Sequence, residues 1–85
     1  MNINQLIKIA SSAGFESYGN FRTEDANIQC EIMTCTNGGL CDGEVLEIYY
    51  DYYSGEVNAP LIKCYCQFPV GHPHHRPVKF NCPVS

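Results

Sequence analysis

The sequence predicts a small, disulfide-rich α+β domain in which one N-terminal helix packs on a three- to four-stranded antiparallel sheet. Three observations predict it. Apolar side chains recur at helical spacing near the start, β-branched and aromatic residues crowd the stretch from Val45 to Cys66, and all six cysteines fall between Cys30 and Cys82. A chain of 85 residues forms one domain at most, and it buries a smaller fraction of its surface than a larger protein does. An even cysteine count in so short a chain reads as a framework of three disulfides, each contributing about 2–4 kcal/mol. Such a framework belongs to an oxidising compartment, so a secreted or extracellular protein is expected.

The helix comes first. Ile3, Leu6, Ile7 and Ala10 stand at i, i+3, i+4 and i+7, Asn2 is suited to cap the start, and Gly14 to close the end, which sets residues 1–14 as the helical segment. A helix this short is marginal alone, so its apolar strip must dock on the rest of the chain. Residues 15–27 are polar and mixed, with Gly19 and Asn20 as turn signals, and read as a loop pinned by Phe15, Tyr18 and Phe21. From residue 28 to residue 82 the chain reads as a stapled antiparallel sheet. Ile28–Cys35 is its first strand, and Thr36-Asn37-Gly38-Gly39-Leu40 is a tight turn, since Asn-Gly and Gly-Gly supply positive φ at little cost.

The main hairpin follows. With its turn centred near Glu56, Tyr50 faces Ile62, Ile48 faces Cys64, and Leu46 faces Cys66. One face then carries Leu46, Ile48, Tyr50, Ile62, Cys64 and Cys66, and the other carries Val45, Glu47, Tyr49, Lys63 and Tyr65. The first is the expected core face. Prolines at 69, 73 and 77 make the next segment an extended loop, and Val78-Lys79-Phe80-Asn81-Cys82 reads as a last short strand.

Charge and composition narrow the function. All nine acids lie between Glu16 and Glu56, while Lys63, Arg76, Lys79 and three histidines follow, so the net charge of −4 conceals a dipolar surface unlike that of a nucleic-acid binder. No apolar run is long enough to insert into a membrane. Met1-Asn2-Ile3-Asn4-Gln5 lacks the charged start and apolar run of an export signal, so the chain reads as a mature form. Structural zinc sites usually present paired Cys-x2–4-Cys knuckles, whereas the cysteine gaps here are four, five, twenty-two, one and fifteen residues. No metal and no cofactor is therefore assigned.

The order of cysteines resembles that of the epidermal growth factor-like domain. Cys35-Thr36-Asn37-Gly38-Gly39-Leu40-Cys41 stands where that family has its Cys-x-Asn-Gly-Gly-x-Cys turn, and Cys64-Tyr65-Cys66 where it has Cys-x-Cys. The resemblance implies bridges Cys30–Cys41, Cys35–Cys64 and Cys66–Cys82. The interval of twenty-two residues between Cys41 and Cys64 exceeds the family's usual hairpin, and Asn27-Ile28-Gln29 stands in place of its calcium-binding acids.

Two clusters carry the candidate binding chemistry. Tyr49, Tyr53 and Tyr65 are expected on the outer face of the hairpin, where rigid amphipathic rings serve protein interfaces. His72, His74 and Arg76 form a cationic loop; His72 and His74 could share one side of an extended backbone, but with no fourth ligand the solvated loop is the favoured reading. No catalytic constellation stands out. The expected function is a secreted effector-, toxin- or ligand-like module that recognises a host or cell-surface protein as a monomer. The alternative is a small ribonuclease-like hydrolase, which would need Glu47 or Glu44 opposite His74, with Arg76 or a tyrosine assisting.

Overall fold

A computed structural model describes residues 1–35 and 43–81. Its elements are α1 (Ile3–Ser12), β1 (Phe15–Arg22), β2 (Ile28–Cys35), β3 (Glu44–Asp51), a 3-10 turn (Ala59–Leu61) and β4 (Lys63–Cys66). The four strands form one antiparallel sheet in the order β1-β2-β3-β4. The helix packs on one of its faces, so the α+β architecture is the one read from the sequence.

Asn2 caps the helix in both directions. Its side chain accepts the Asn4 N–H at 2.8 Å, and its own N–H is received by Gln5 Oε1 at 2.9 Å. Ile3, Leu6 and Ala10 are buried and meet Phe15, Met33, Cys35, Leu46, Ile48 and Val57, with Ile7, Tyr50, Ile62, Cys64 and Phe80 partly buried around them. The start of the helix is tied to the turn after β3: the Ile3 N–H donates to the Gly55 carbonyl at 2.7 Å, and the Val57 N–H donates to the Met1 carbonyl at 3.1 Å.

Three expectations are corrected. Residues 15–22 are a strand, not a loop. A bulge between Ser17 and Gly19 leaves Tyr18 outside the pairing, so Phe15 and Ser17 face the core side while beyond the bulge Asn20 and Arg22 do. That shift erases the two-residue alternation by which a strand is recognised. In the main hairpin Leu46 pairs with Cys64 and Glu44 with Cys66, a slide of two residues from the expected register. The slide arises because β3 also pairs at its far end with the turn, where Tyr50 bridges Val57 before the 3-10 turn delays β4. An even slide preserves the faces, and the expected core side is retained. Residues 78–81 form no strand. The expected turn at residues 36–40, with Cys41 and Cys82, lies outside the described residues.

Candidate functional site

The sheet face turned away from α1 carries Cys30 and Ile32 on β2, Val45, Glu47 and Tyr49 on β3, and Lys63 and Tyr65 on β4. Glu47 organises it. The Tyr65 hydroxyl donates to Glu47 Oε2 at 2.6 Å, the Tyr49 hydroxyl donates to Glu47 Oε1 at 3.1 Å, and Lys63 Nζ lies 5.8 Å from the centre of the Tyr49 ring. Cross-strand register produces this arrangement, since Glu47 pairs with Lys63 and Val45 with Tyr65, which places the tyrosines on either side of one carboxylate.

The network shows in the acidities. The hydrogen bond to Glu47, then burial, pushes the Tyr65 phenol up to about 12. Burial, then the bond to Glu47, pushes Tyr49 up to about 12 as well. Beneath them Cys30 is fully buried, and burial, with the negative Glu47 next, raises its thiol above the usual range.

The remaining predicted binding residues lie elsewhere. Tyr53 is 74% exposed in the turn after β3 and stands edge-on to Tyr52, with ring centres 5.2 Å apart. His72, His74 and Arg76 follow β4, near Phe68, which contacts the Gly43 end of β3. Strand β3 separates those two ends by about 23 Å at the usual rise per residue. The six residues therefore fall into three groups: Tyr49 with Tyr65, Tyr53 by itself, and His72, His74 and Arg76 in the loop after β4.

The histidine loop is bonded to itself. His72 stacks on Phe68 at 4.8 Å and its Nδ1 accepts the His74 N–H at 3.0 Å, while His75 Nδ1 donates to the Phe68 carbonyl at 2.9 Å. Arg76 donates to the carbonyls of His75 and Pro73. Among the described residues no three His, Cys, Asp or Glu side chains are grouped to hold a metal ion.

The two glutamates named by the hydrolase alternative stand in different surroundings, Glu47 half-buried and Glu44 withdrawn from solvent. Glu47 is shared by the two tyrosines. Glu44 is 1% exposed, and its carboxylate accepts the Lys79 N–H at 2.5 Å, the Phe80 N–H at 3.2 Å and the Cys64 thiol at 3.8 Å. From the sequence Glu44 stands only as an alternative to Glu47 opposite His74, and its burial is not foreseen. Its signal was parity: it shares the core face with Leu46 and Ile48.

Comparison with family models, with curated proteins and with solved structures finds no match. Site chemistry alone therefore carries the functional reading. No helix among the described residues is long and apolar enough to cross a membrane.

The cysteines divide by face. Cys30 lies on the side away from the helix, while Cys35 and Cys64 belong to the helix side. Cys35 is disulfide-bonded, whereas Cys30 and Cys66 carry free thiols. The growth-factor resemblance assigns Cys30 and Cys66 to bridges with Cys41 and Cys82, which lie outside the described residues.

Proposed function

We propose that the protein is a binding module of the secreted or extracellular class, and that it recognises a protein partner through the Tyr65–Glu47–Tyr49 face. One observation supports this above the rest: two phenol hydroxyls converge on a single carboxylate, on the face opposite the helix. Aromatic side chains held in one rotamer lose little freedom when a partner covers them, so they serve as anchors at low entropic cost. Tyr65 is 43% exposed, which leaves ring area for a partner, whereas Tyr49 is half-buried and shares its carboxylate. The cysteine count supports export, and the dipolar charge pattern favours a protein over a nucleic acid.

The test is capture from a panel of extracellular proteins by immobilised wild type, Tyr65→Ala and Glu47→Gln. Tyr65→Ala should lose the captured partner while its melting temperature stays close to wild type. Glu47→Gln should weaken capture less, because the amide still accepts one hydroxyl. Undiminished capture by Tyr65→Ala would place recognition elsewhere.

A further inference from the structure

The loop after β4 is closed around one half-buried ring. Phe68 lies against Gly43, where its ring atoms stand 3.3 and 3.4 Å from the position a Cβ would take, and it also meets two imidazoles. His72 stacks on it with ring centres 4.8 Å apart and 20° between the planes, and His74 leans on both, 5.6 Å from Phe68 and 5.5 Å from His72. Both ends of the loop are tied down separately. The Gln67 N–H donates to the Gly43 carbonyl at 2.8 Å, and the Glu44 carboxylate receives the N–H groups of Lys79 and Phe80.

Between those ties the closed form depends on His72. A backbone N–H can only donate, so the 3.0 Å contact from the His74 N–H to His72 Nδ1 requires a bare lone pair on that nitrogen. The arrangement copies an Asx turn, in which a side chain accepts the N–H two residues further on. A proton on Nδ1 turns the acceptor into a donor and sets N–H against N–H. Flipping the ring gives no relief, since a carbon then takes the place of Nδ1.

We infer that His72 is a proton-operated latch on this loop: with Nδ1 bare it holds residues 68–76 closed around Phe68, and protonation of that nitrogen opens them. Nothing in the segment offsets the new charge. His74, His75, Arg76 and Lys79 are its other titratable groups, all of one sign when charged, and no acid occurs after Glu56. On the sheet end that Phe68 covers stand Cys66, whose Sγ lies 3.8 Å from the Gly43 Cβ position, and Glu44, already bonded to Lys79 and Phe80. A charged ring keeps some attraction for the face of Phe68, but that attraction does not supply the missing acceptor. His75 is no second trigger, because its Nδ1 donates to the Phe68 carbonyl whether or not the ring is charged. The closed loop binds one proton fewer than the open one, so it is favoured at neutral pH and lost as the pH falls through the imidazole range, roughly 8 to 5.

Nitrogen-15 NMR of the full chain across that range tests the latch, and it reads the loop itself, not capture of a partner. As His72 takes up its proton, the His74 amide should lose roughly tenfold of its protection against exchange, the equivalent of one hydrogen bond, after correction for the intrinsic rate. Ring-current shifts between His72 and Phe68 should diminish together with it, while the amides of Leu46 and Ile48 stay unchanged. His72→Asn keeps an acceptor two residues before His74 but takes up no proton in this range, so its loop should stay closed in acid. An acid transition of the same size in His72→Asn overturns the inference. So does a wild-type His74 amide that holds its protection while the His72 ring titrates.

Discussion

Glu47 and Glu44 show how much a carboxylate's surroundings decide its work. They lie three residues apart on β3 and therefore on opposite faces of the sheet. Glu44 faces inward and holds the C-terminal segment by two backbone N–H groups, close to where Phe80 meets Phe15 edge-on at 5.1 Å. Removing its side chain would strand those donors in a part-buried site, the costliest fate for a hydrogen-bonding group. Glu47 faces outward and sets the acidity of the tyrosines. Because their phenols are held up at about 12 against an ordinary value near 10, the folded state keeps two protons that the unfolded chain releases first. Their contribution to stability is complete below pH 10 and is lost as the pH rises through 12. Spectrophotometric titration at the phenolate band should show two tyrosines ionising late, with denaturant stability falling over the same interval. In Glu47→Gln the late ionisation of Tyr65 should move down more than that of Tyr49, since the bond to Glu47 is the leading cause for Tyr65 and burial for Tyr49.

At the scale of elements, the joint between α1 and the turn after β3 fixes how the helix lies on the sheet. Gly55 sits there with φ of +78°, and a Cβ on it would come within 2.6 Å of Asn2 Nδ2, the capping side chain. Gly55→Ala should therefore cost roughly 1–2 kcal/mol from backbone strain alone, with further loss from displacing the cap. Urea unfolding measures the sum, and Asn2→Ala in the same background should add less than it does in wild type, because both changes disturb one contact. The helix and its cap were legible because Ile3, Leu6 and Ala10 repeat at its period and Asn2 with Gln5 spells a capping box. Strand β2 and both faces of the main hairpin were legible because side chains alternate there without interruption. Strand β1 was hidden by its bulge, which turns a period of two into apolar residues at 15, 18 and 21. The slide of β4 was hidden too, since nothing local reports that Val57 takes a place beside Tyr50. Of the candidate site, Tyr49 and Tyr65 could be placed on one face by parity. Parity placed Glu47 on that face as well, and what the sequence left out is that both hydroxyls bond to its carboxylate in the register that β3 and β4 adopt.

For the whole molecule the question is whether sulfur or apolar packing holds the fold. An even count of cysteines argues for three bridges, yet parity separates Cys30 from Cys35 and Cys64, because five residues along a strand reverse the face. Cys30 is instead a fully buried thiol, held protonated by burial and by the charge of Glu47. Iodoacetamide added to protein unfolded without reductant should accordingly label Cys30 and Cys66; a complete set of three bridges would leave no site to label. The bridge at Cys35 contributes about 2–4 kcal/mol if it behaves as native disulfides do, against roughly 5–15 kcal/mol for a folded domain. Leu6 on α1 and Met33, Leu46 and Ile48 on the sheet are wholly withdrawn from solvent and belong to one apolar cluster that joins helix to sheet. Reduction should then lower the melting temperature but leave a single cooperative transition in circular dichroism. If the reduced chain melts without a transition, the helix and sheet depend on the bridge at Cys35, and burial of this apolar cluster is too small to hold them by itself.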